Sequence, residues 1–381
     1  MNQIERYVER ILAESTPDRP LWNIEKIRQG KINGWNYIDG CMMTALLNLH
    51  AITGERRYYD FVEHFLDYYV FDDGSIRGYR EEEYNVDNIC EGRVLFDVWR
   101  HSGKEKYRLA IETLHNQLLH HPRTPAGSFW HKAIYPNQVW LNGLYMAQVF
   151  YARYTTAFEN GQAAEDILRQ FCTVREKMFD PETGLYRHGY DASGKAFWAQ
   201  ANGCSANSWL RSLGWFCAAL VDVSEEIPAE NVHFHEKMTG IAKELAKNLL
   251  PYIDRESGML FQVPTQIGRA GNYPETSGSA MVAYFYCKGA RLGILDAAYA
   301  PVGAQIFRSI CERYLTETDG KLNLGGICLL AGLGPESNRR RDGSFEYYIS
   351  EPVVENDAKG LAPFLMCYTE LLQSKKEDPE Q

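Results

Sequence analysis

The helical spacing of apolar residues, repeated along nearly the whole chain, is the feature that most restricts the fold. Residues 61–69, for example, place apolar side chains three and four positions apart with polar side chains between them, and hardly any segment alternates as a β-strand does. About a dozen helices are predicted in this way. They come in pairs joined by tight turns such as Thr53-Gly54-Glu55 and Ser102-Gly103-Lys104. The chain is therefore predicted to be all-α.

The helix pairs recur at intervals of roughly 50 to 65 residues, which predicts hairpins that bury their apolar faces on one another. About six such pairs can close into a ring. The second helix of each pair is more apolar all round, so we expect these helices to form the inner layer and the charged ones the outer layer. The predicted spans are 2–15, 35–53, 55–71, 84–102, 104–120, 136–156, 161–178, 205–224, 231–251, 275–292, 295–315 and 357–374. Joins that contain Asp and Gly before aromatic residues predict short β segments in the loops, at 72–79, 180–186, 254–261 and 319–320.

Parallel inner helices would bring their N-terminal ends together at one mouth of the ring. Unusual polar and aromatic residues occupy these ends: Trp35, Tyr37, Asp87, Asn142, Trp209, Arg211, Glu275 and Asp357. Helix N-termini offer unpaired N–H groups and a partial positive charge, which favour an anionic ligand such as a carboxylate. The sequence therefore predicts a pocket for an acidic ligand at this mouth.

The stretch FWHKAIYPNQVWLNGLYM, residues 129–146, joins a polar, aromatic loop to a nearly all-apolar helix. Asn142 is the amide among the apolar residues of 139–146, and burying an amide without a partner costs about 1–3 kcal/mol. We therefore expect Asn142 to have a partner or a ligand. His131 and Lys132 precede the helix closely enough to share its end.

Charge and hydropathy exclude several classes of protein. The formal net charge is −10, and the basic run Arg339, Arg340 and Arg341 is interpreted as a solvated loop, so nucleic acid is not expected as a partner. No stretch approaches the roughly 18 uninterrupted apolar residues of a membrane span. The N-terminal MNQIERYVERILAES is predicted to be an amphipathic helix and not a signal peptide. A cytoplasmic location is predicted.

Cysteine spacing and known motifs point to no metal or cofactor. The nine cysteines are dispersed singly, without a CxxC pair or HxxxH spacing, so free buried thiols and no metal site are expected. The motifs GxSxG, GxxxxGK[ST] and GxGxxG are absent, which disfavours nucleotide-dependent chemistry, and no cofactor is predicted. Because no Gly/Ser-rich or Pro-rich linker divides the chain, residues 1–373 are predicted to form one domain and residues 374–381 a disordered tail.

Segments spread over most of the chain carry a family resemblance. They are Trp35-Asn36-Tyr37, Thr53-Gly54-Glu55, Phe129-Trp130-His131-Lys132, residues 138–146, Gly203-Cys204-Ser205, residues 209–215, Ser277-Gly278-Ser279 and Asn356-Asp357. Together they resemble glycoside hydrolase family 105, the unsaturated rhamnogalacturonyl hydrolases. The resemblance implies a six-hairpin (α/α) barrel. It also implies a glycosidase of carbohydrate metabolism that removes 4,5-unsaturated galacturonate from the non-reducing end of rhamnogalacturonan oligosaccharides during pectin degradation.

The resemblance further implies cleavage by hydration of the double bond. In such enzymes an Asp protonates C4 of the enol ether and takes a proton from the water that adds at C5, after which a hemiketal rearranges and releases the remaining saccharide. This Asp falls on position 142, where the chain has Asn. A carboxamide cannot cycle a proton at neutral pH, and losing a general acid/base costs ~10²–10⁴ in rate. The chain is therefore expected to be a family enzyme in a weakened or inactive form.

The other functional positions of the family are also matched. Asp87 falls on the second acidic position, which assists binding or orients water. The resemblance implies substrate contacts for Trp35, Tyr37, His131, Lys132, His188, Trp209, Arg211 and Trp215. The residues by themselves also permit structural roles, with Asp87 as a helix N-cap and Arg211 as an internal Arg paired with a structural Asp.

Three interpretations of Asn142 remain open at this level. First, Asn142 is a change introduced in order to trap substrate. Second, it is a natural variant in which Asp87 takes over the acid/base role. Third, it is a natural loss of the acid/base that leaves a sugar-binding protein. Two further hypotheses for the function are a catalytically silent carbohydrate-binding protein and an α/α-barrel sugar epimerase, for which His131 and His188 would face each other. The sugar that follows the uronate and the oligomeric state have no signature in the sequence, because subsite selectivity lies in loop shape.

Overall fold

Long helices alternate with loops that hold only short strands. The computed structural model describes residues 3–377, and its α-helices are α1 (Gln3–Ala13), α2 (Ile24–Gln29), α3 (Tyr37–Thr53), α4 (Arg56–Tyr69), α5 (Asp87–Cys90), α6 (Leu95–Ser102), α7 (Glu105–His120), α8 (Gly143–Phe158), α9 (Ala164–Met178), α10 (Leu210–Glu226), α11 (Val232–Leu249), α12 (Thr276–Arg291), α13 (Tyr299–Tyr314), α14 (Phe345–Ser350) and α15 (Ala358–Glu377). The strands are β1 (Gln138–Trp140), β2 (Phe179–Asp180), β3 (Leu185–Tyr186), β4 (Gly189–Asp191), β5 (Leu315–Thr318), β6 (Lys321–Leu324), β7 (Ile327–Cys328) and β8 (Val353–Val354). They form antiparallel pairs, β1 with β4, β2 with β3, β5 with β6 and β7 with β8.

The inner layer of helices forms a closed ring. Helix α3 contacts α5, α5 contacts α8, α8 contacts α10, α10 contacts α12, α12 contacts α15, and α15 returns to α3. Outside this ring, α4 packs on α3, α7 on α6, α9 on α8, α11 on α10 and α13 on α12. The predicted (α/α) barrel with short β segments in its loops is therefore confirmed, with the more apolar helices inside.

Glycines allow two of the inner helices to approach closely. A Cβ added to Gly214 of α10 would lie 2.7 Å from the Cβ of Met281 on α12, and one added to Gly278 of α12 would lie 2.3 Å from the Cγ of Leu210 on α10. Both distances are far below van der Waals contact, so a larger side chain at either position would push the helices apart. This contact sets the spacing between the N-terminal halves of α10 and α12.

Some predicted helix boundaries are wrong where tertiary pairing overrides local pattern. The span 84–102 is two helices, α5 and α6, separated by a 3-10 turn at Glu91–Val94. The span 136–156 begins with strand β1, because Val139 pairs with Tyr190 of β4, and the helix itself starts at Gly143. The span 205–224 becomes a helix only from Leu210.

The C-terminal helix is longer than predicted. Residues 374–377 belong to α15, although the sequence places them in a disordered tail, and residues 378–381 lie outside the described residues. Within residues 3–377, no helix is both long enough and apolar enough to cross a lipid bilayer. The nine cysteines are unpaired and mostly buried, as expected from their spacing.

Candidate active site

The N-terminal ends of the inner helices meet at one mouth of the barrel. Burial raises the pKa of the Tyr37 hydroxyl well above its usual value, and the charges of Arg211, Asp87 and Asp357 also act on this hydroxyl. Side chains at the starts of α3, α5, α10 and α15 therefore lie within electrostatic range of Tyr37. The predicted clustering of inner-helix ends is confirmed for these residues.

Asp87, the first residue of α5, is held by the loop that precedes β1. Its Oδ2 lies 2.8 Å from the Nζ of Lys132, and its Oδ1 lies 3.7 Å from the Nε2 of His131. Burial alone would raise the pKa of Asp87, but the charge of Lys132 and the hydrogen bond from Lys132 hold it below its ordinary value. Burial lowers the pKa of His131 to about 3, so this imidazole is neutral at pH 7 and Lys132 supplies the counter-charge. Asp87 is therefore an ionised acceptor and a poor proton donor.

Asn142 lies immediately before α8, with backbone angles already close to helical. Its Oδ1 is buried and has no hydrogen-bond partner within the described structure. The neighbouring Gly143 faces His131, since a Cβ at position 143 would lie 3.1 Å from the His131 Nδ1, another buried atom without a partner. Unsatisfied buried polar atoms are costly, and they cluster where a protein receives a ligand. The start of α8 therefore lies against the His131 loop, and each of the two contributes a buried polar atom without a partner.

A row of aromatic rings lines one side of this pocket. The indole of Trp140 stacks on His131 at 4.3 Å between ring centroids and meets His188 edge-on at 5.6 Å. His188 lies 4.8 Å from the ring of Trp209, and its Nδ1 is 2.7 Å from the hydroxyl of Tyr348. The Nε2 of His188 is buried without a partner. Flat rings with a few polar atoms at their edges suit the faces and hydroxyls of sugar rings.

Arg211 lies deeper, on the first turn of α10, and is only 1% exposed. Its guanidinium donates to the Ser277 hydroxyl at 2.7 Å and to the carbonyl of Cys328, and it lies 3.6 Å from the carboxylate of Glu275. Glu275 is fully buried and caps α12 by accepting the N–H of Gly278 at 2.8 Å. An internal ion pair is therefore present, although its carboxylate comes from Glu275 and not from an Asp as considered from the sequence.

The tryptophans expected at the site occupy different environments. Trp209 contacts His188, and its Nε1 donates to Gln262 at 3.1 Å. Trp35 is 6% exposed, and its Nε1 donates to the backbone carbonyl of Asn88, next to Asp87, at 2.8 Å. Trp215 lies one turn beyond Arg211, is 2% exposed and stacks on Tyr145 at 4.5 Å. Trp215 is thus part of the barrel core, beneath the mouth.

Sequence reasoning missed several residues of the pocket wall. Trp140 contacts both histidines, Tyr348 bonds to His188, and Leu333 packs against Trp140 and Trp198. Trp140 lies two residues before Asn142, so the sequence alone could have predicted that it is close to the site. Leu333 comes from the loop before α14 and Tyr348 from α14 itself. Both are far from Trp140 and His188 in sequence, and no local pattern predicts these contacts.

The buried histidines predict an acid-sensitive fold. Burial lowers the pKa of both His131 and His188 to about 3, whereas an unfolded histidine titrates near about 6.5. The unfolded chain therefore binds more protons between these values, so this contribution to stability is fully present above about pH 6.5 and is lost as the pH falls toward about 3. We expect the free energy of unfolding to fall on acidification by up to about 1.4 kcal/mol per pH unit for each such histidine.

Urea unfolding at pH 7.5 and 5.5 measures this slope. His188→Asn is expected to make the slope shallower, and His120→Asn, which alters an exposed imidazole, is expected to leave it unchanged. Equal slopes for the native chain and the His188→Asn variant would contradict the prediction.

The chemistry available at the mouth is acid/base and electrostatic. Within residues 3–377, no three His, Cys, Asp or Glu side chains are grouped so that they could hold a metal ion. The pocket combines an ionised Asp87, a cationic Lys132, neutral imidazoles and an unsatisfied position 142. Such a set can bind a polyhydroxylated acidic ligand and orient a water molecule beside it.

Comparisons with known proteins show the family to which this fold belongs. A family model described as Glycosyl Hydrolase Family 88 matches residues 5–375. The solved structure of a glycoside hydrolase from family 105 of C. acetobutylicum ATCC 824 is 36% identical, with a TM-score of 0.87 over 97% of this chain and 99% of that chain. A 24.9 kDa protein in the picA locus of Rhizobium radiobacter is 38% identical over 60% of this chain and 98% of its own length. The unsaturated rhamnogalacturonyl hydrolase YesR of Bacillus subtilis (strain 168) is 24% identical over 47% of this chain and 53% of that protein.

Proposed function

The chain belongs to the family 88 and 105 group of unsaturated glycuronyl hydrolases, and from this premise we propose that it acts on oligosaccharides that end in a 4,5-unsaturated galacturonate. Its substrate would be the product of a pectin lyase acting on rhamnogalacturonan, and the reaction would be hydration of the double bond. The similarity to the rhamnogalacturonyl hydrolase YesR supports the galacturonate over other uronates. The cytoplasmic location stays a prediction of the sequence.

The observation that carries the proposal is the unsatisfied amide of Asn142, whose neighbour Gly143 lies against His131, the residue that also faces Asp87. An acid/base at position 142 would lie at the start of α8, near His131, where several buried polar atoms have no hydrogen-bond partner. We assign the proton transfers at C4 and C5 to the side chain of this position. Asp87, whose Oδ1 has no hydrogen-bond partner, would orient the attacking water or a sugar hydroxyl.

The remaining site residues would hold the sugar. Lys132 and the N–H groups at the helix starts favour the uronate carboxylate. The rings of Trp140 and Trp209 would support sugar faces, and His188 would donate or accept through its free Nε2. Arg211 lies beneath the pocket, where its pairing with Glu275 suits a role in holding the helix starts in place.

Whether the chain hydrolyses its ligand or only binds it depends on the residue at position 142. With an amide at this position the chain is expected to bind the unsaturated oligosaccharide and to turn it over slowly or not at all. A catalytically silent carbohydrate-binding protein is therefore the second candidate function. The epimerase hypothesis is disfavoured by the family membership and by the indole of Trp140, which packs against both His131 and His188.

Substrate choice provides a test of the galacturonate assignment. We expect the Asn142→Asp protein to consume the double bond of a rhamnogalacturonan-derived unsaturated disaccharide at least ~10-fold more efficiently than that of an unsaturated glucuronyl disaccharide. Because the lyase removes O4 of the parent uronate, the unsaturated residue is the same in both ligands, and the preference would come from the linkage and the sugar that follows. Loss of ultraviolet absorbance by the double bond measures kcat/KM for each. A preference for the glucuronyl disaccharide would assign the chain to the glucuronyl hydrolases. If the absorbance of neither disaccharide decreased, both assignments would be refuted.

A further inference from the structure

The loop between β7 and α14 carries three consecutive arginines with different environments. Arg339 donates to Glu336 at 2.8 Å and lies 4.7 Å from the ring centroid of Phe197. Arg340 donates to Glu351 at 2.7 Å. These two side chains behave as the sequence predicts for a solvated loop, since each has a carboxylate partner near the surface.

Arg341 differs from its two neighbours. It is partly buried, its Nε is buried without a hydrogen-bond partner, and within residues 3–377 no carboxylate lies at ion-pair distance from its guanidinium. Withdrawing a cation from water without a counter-charge is unfavourable. A guanidinium held in this state is ready to receive an anion bidentately.

The position of Arg341 links it to the pocket. Its Nη1 lies 3.8 Å from the point that a Cβ on Gly332 would occupy, and the ring of Trp140 lies 3.3 Å from the same point. Trp140 in turn stacks on His131, next to Lys132. The loop that bears Arg341 therefore covers the aromatic side of the mouth.

Electrostatic interactions connect Arg341 to Lys132, and Lys132 to Asp87. Burial lowers the pKa of Lys132, the carboxylate of Asp87 raises it above its usual value, and the charge of Arg341 acts on it in the opposite direction. Lys132 is bonded to Asp87, whose own pKa responds to Lys132 and His131. Asp87 neutralises Lys132, and Arg341 is a second cation, near enough to act on Lys132 but without a carboxylate partner of its own among residues 3–377.

We propose that Arg341 binds an acidic group on the saccharide beyond the scissile bond, so that the preferred ligand carries a second carboxylate besides that of its unsaturated end. This inference rests on the proposed function, because it takes the unsaturated uronate to lie beside position 142 and Asp87. A rhamnogalacturonan tetrasaccharide, in which uronate and rhamnose alternate, has such a second carboxylate, and the disaccharide has only one. Arg341 is then a residue that selects for chain length through charge.

Binding to the native chain tests the proposal, because Asn142 slows or prevents turnover. Calorimetric titration would compare the unsaturated disaccharide with the unsaturated tetrasaccharide, for the native chain, Arg341→Met and Arg339→Met. We expect Arg341→Met to weaken tetrasaccharide binding roughly 10-fold and disaccharide binding less than about 2-fold, as for the loss of one charge-assisted contact. Arg339→Met, which removes an arginine already paired with Glu336, is expected to change neither.

The contribution of Arg341 is also expected to shrink with salt, since the contact is partly exposed. An equal loss of affinity for both ligands in Arg341→Met would overturn the proposal, and so would unchanged affinity for the tetrasaccharide. A tetrasaccharide whose internal carboxylate is methyl-esterified should bind the native chain as weakly as the free acid binds Arg341→Met. Failure of the native chain to bind either unsaturated ligand would instead refute the proposed function, and this inference with it.

Discussion

Replacing Asn142 with Asp is expected to raise the rate of double-bond hydration by about 10²–10⁴-fold, the usual contribution of one general acid/base. The reason is chemical: an amide neither gives nor takes a proton at neutral pH, whereas a carboxyl group at position 142 can do both. The Oδ1 of Asn142 is buried without a hydrogen-bond donor. A carboxyl group in that position is expected to have a raised pKa and so to be partly protonated near neutral pH, as a proton donor to C4 must be.

The measurement is the loss of ultraviolet absorbance from a lyase-derived rhamnogalacturonan disaccharide. Asn142→Ala serves as the matched control, since it removes the amide without supplying a carboxyl group and is expected to stay inactive. Asn142→Asp combined with Asp87→Asn should lose most of the gained activity, because in the proposed reaction Asp87 orients the water. No gain by Asn142→Asp with any unsaturated uronide would refute the catalytic assignment of position 142.

The same geometry argues against Asp87 as a replacement for the missing acid. Lys132 lies 2.8 Å from its carboxylate, and the pKa of Asp87 is lower than usual despite burial. A carboxylate held ionised in this way can accept a hydrogen bond but rarely carries the proton that C4 requires. Of the three interpretations of Asn142, the one in which Asp87 takes over is therefore the least consistent with the structure.

Replacing Glu275 with Ala is expected to lower the free energy of unfolding by about 3–5 kcal/mol, as when one member of a buried ion pair is removed. Glu275 is fully buried, caps α12 through Gly278, accepts the N–H of Cys328 at 3.0 Å and faces the guanidinium of Arg211. Its removal leaves Arg211 as a buried cation without its carboxylate. Urea unfolding at pH 7.5 provides the measurement.

Two comparisons separate this buried pair from an ordinary surface pair. Glu346→Ala breaks the exposed pair with Arg269 and is expected to cost about 1 kcal/mol or less. Adding Arg211→Met to Glu275→Ala should restore part of the lost stability, because the uncompensated charge disappears. If Glu275→Ala lowered the free energy of unfolding no more than Glu346→Ala does, the buried pair would not stabilise the contact between α10 and α12 more than a surface pair stabilises the protein.

Local pattern was sufficient to predict the layers of the barrel and the residues at its mouth. Helical periodicity and the tight turns after Thr53 and Ser102 are properties of neighbouring residues, so they can be read without the fold. The N-terminal ends of the inner helices are likewise local features, which is why Asp87, Asn142 and Arg211 could be assigned to one mouth. Where pairing with a distant strand decides the conformation, as for β1 before α8, the predicted boundary was wrong.

The sequence by itself thus determined the all-α class, the inner and outer helices, and an amide at position 142, where the family resemblance implies a carboxylate. Only the tertiary structure decided how the charges at the mouth are paired: Asp87 is neutralised by Lys132, Arg211 is paired with Glu275, and Arg341 has no carboxylate partner among residues 3–377. It also placed Trp215 in the core. The physical reason is that helix periodicity depends on residues a few positions apart, whereas the partner of a charge depends on segments brought together only when the ring of helices closes.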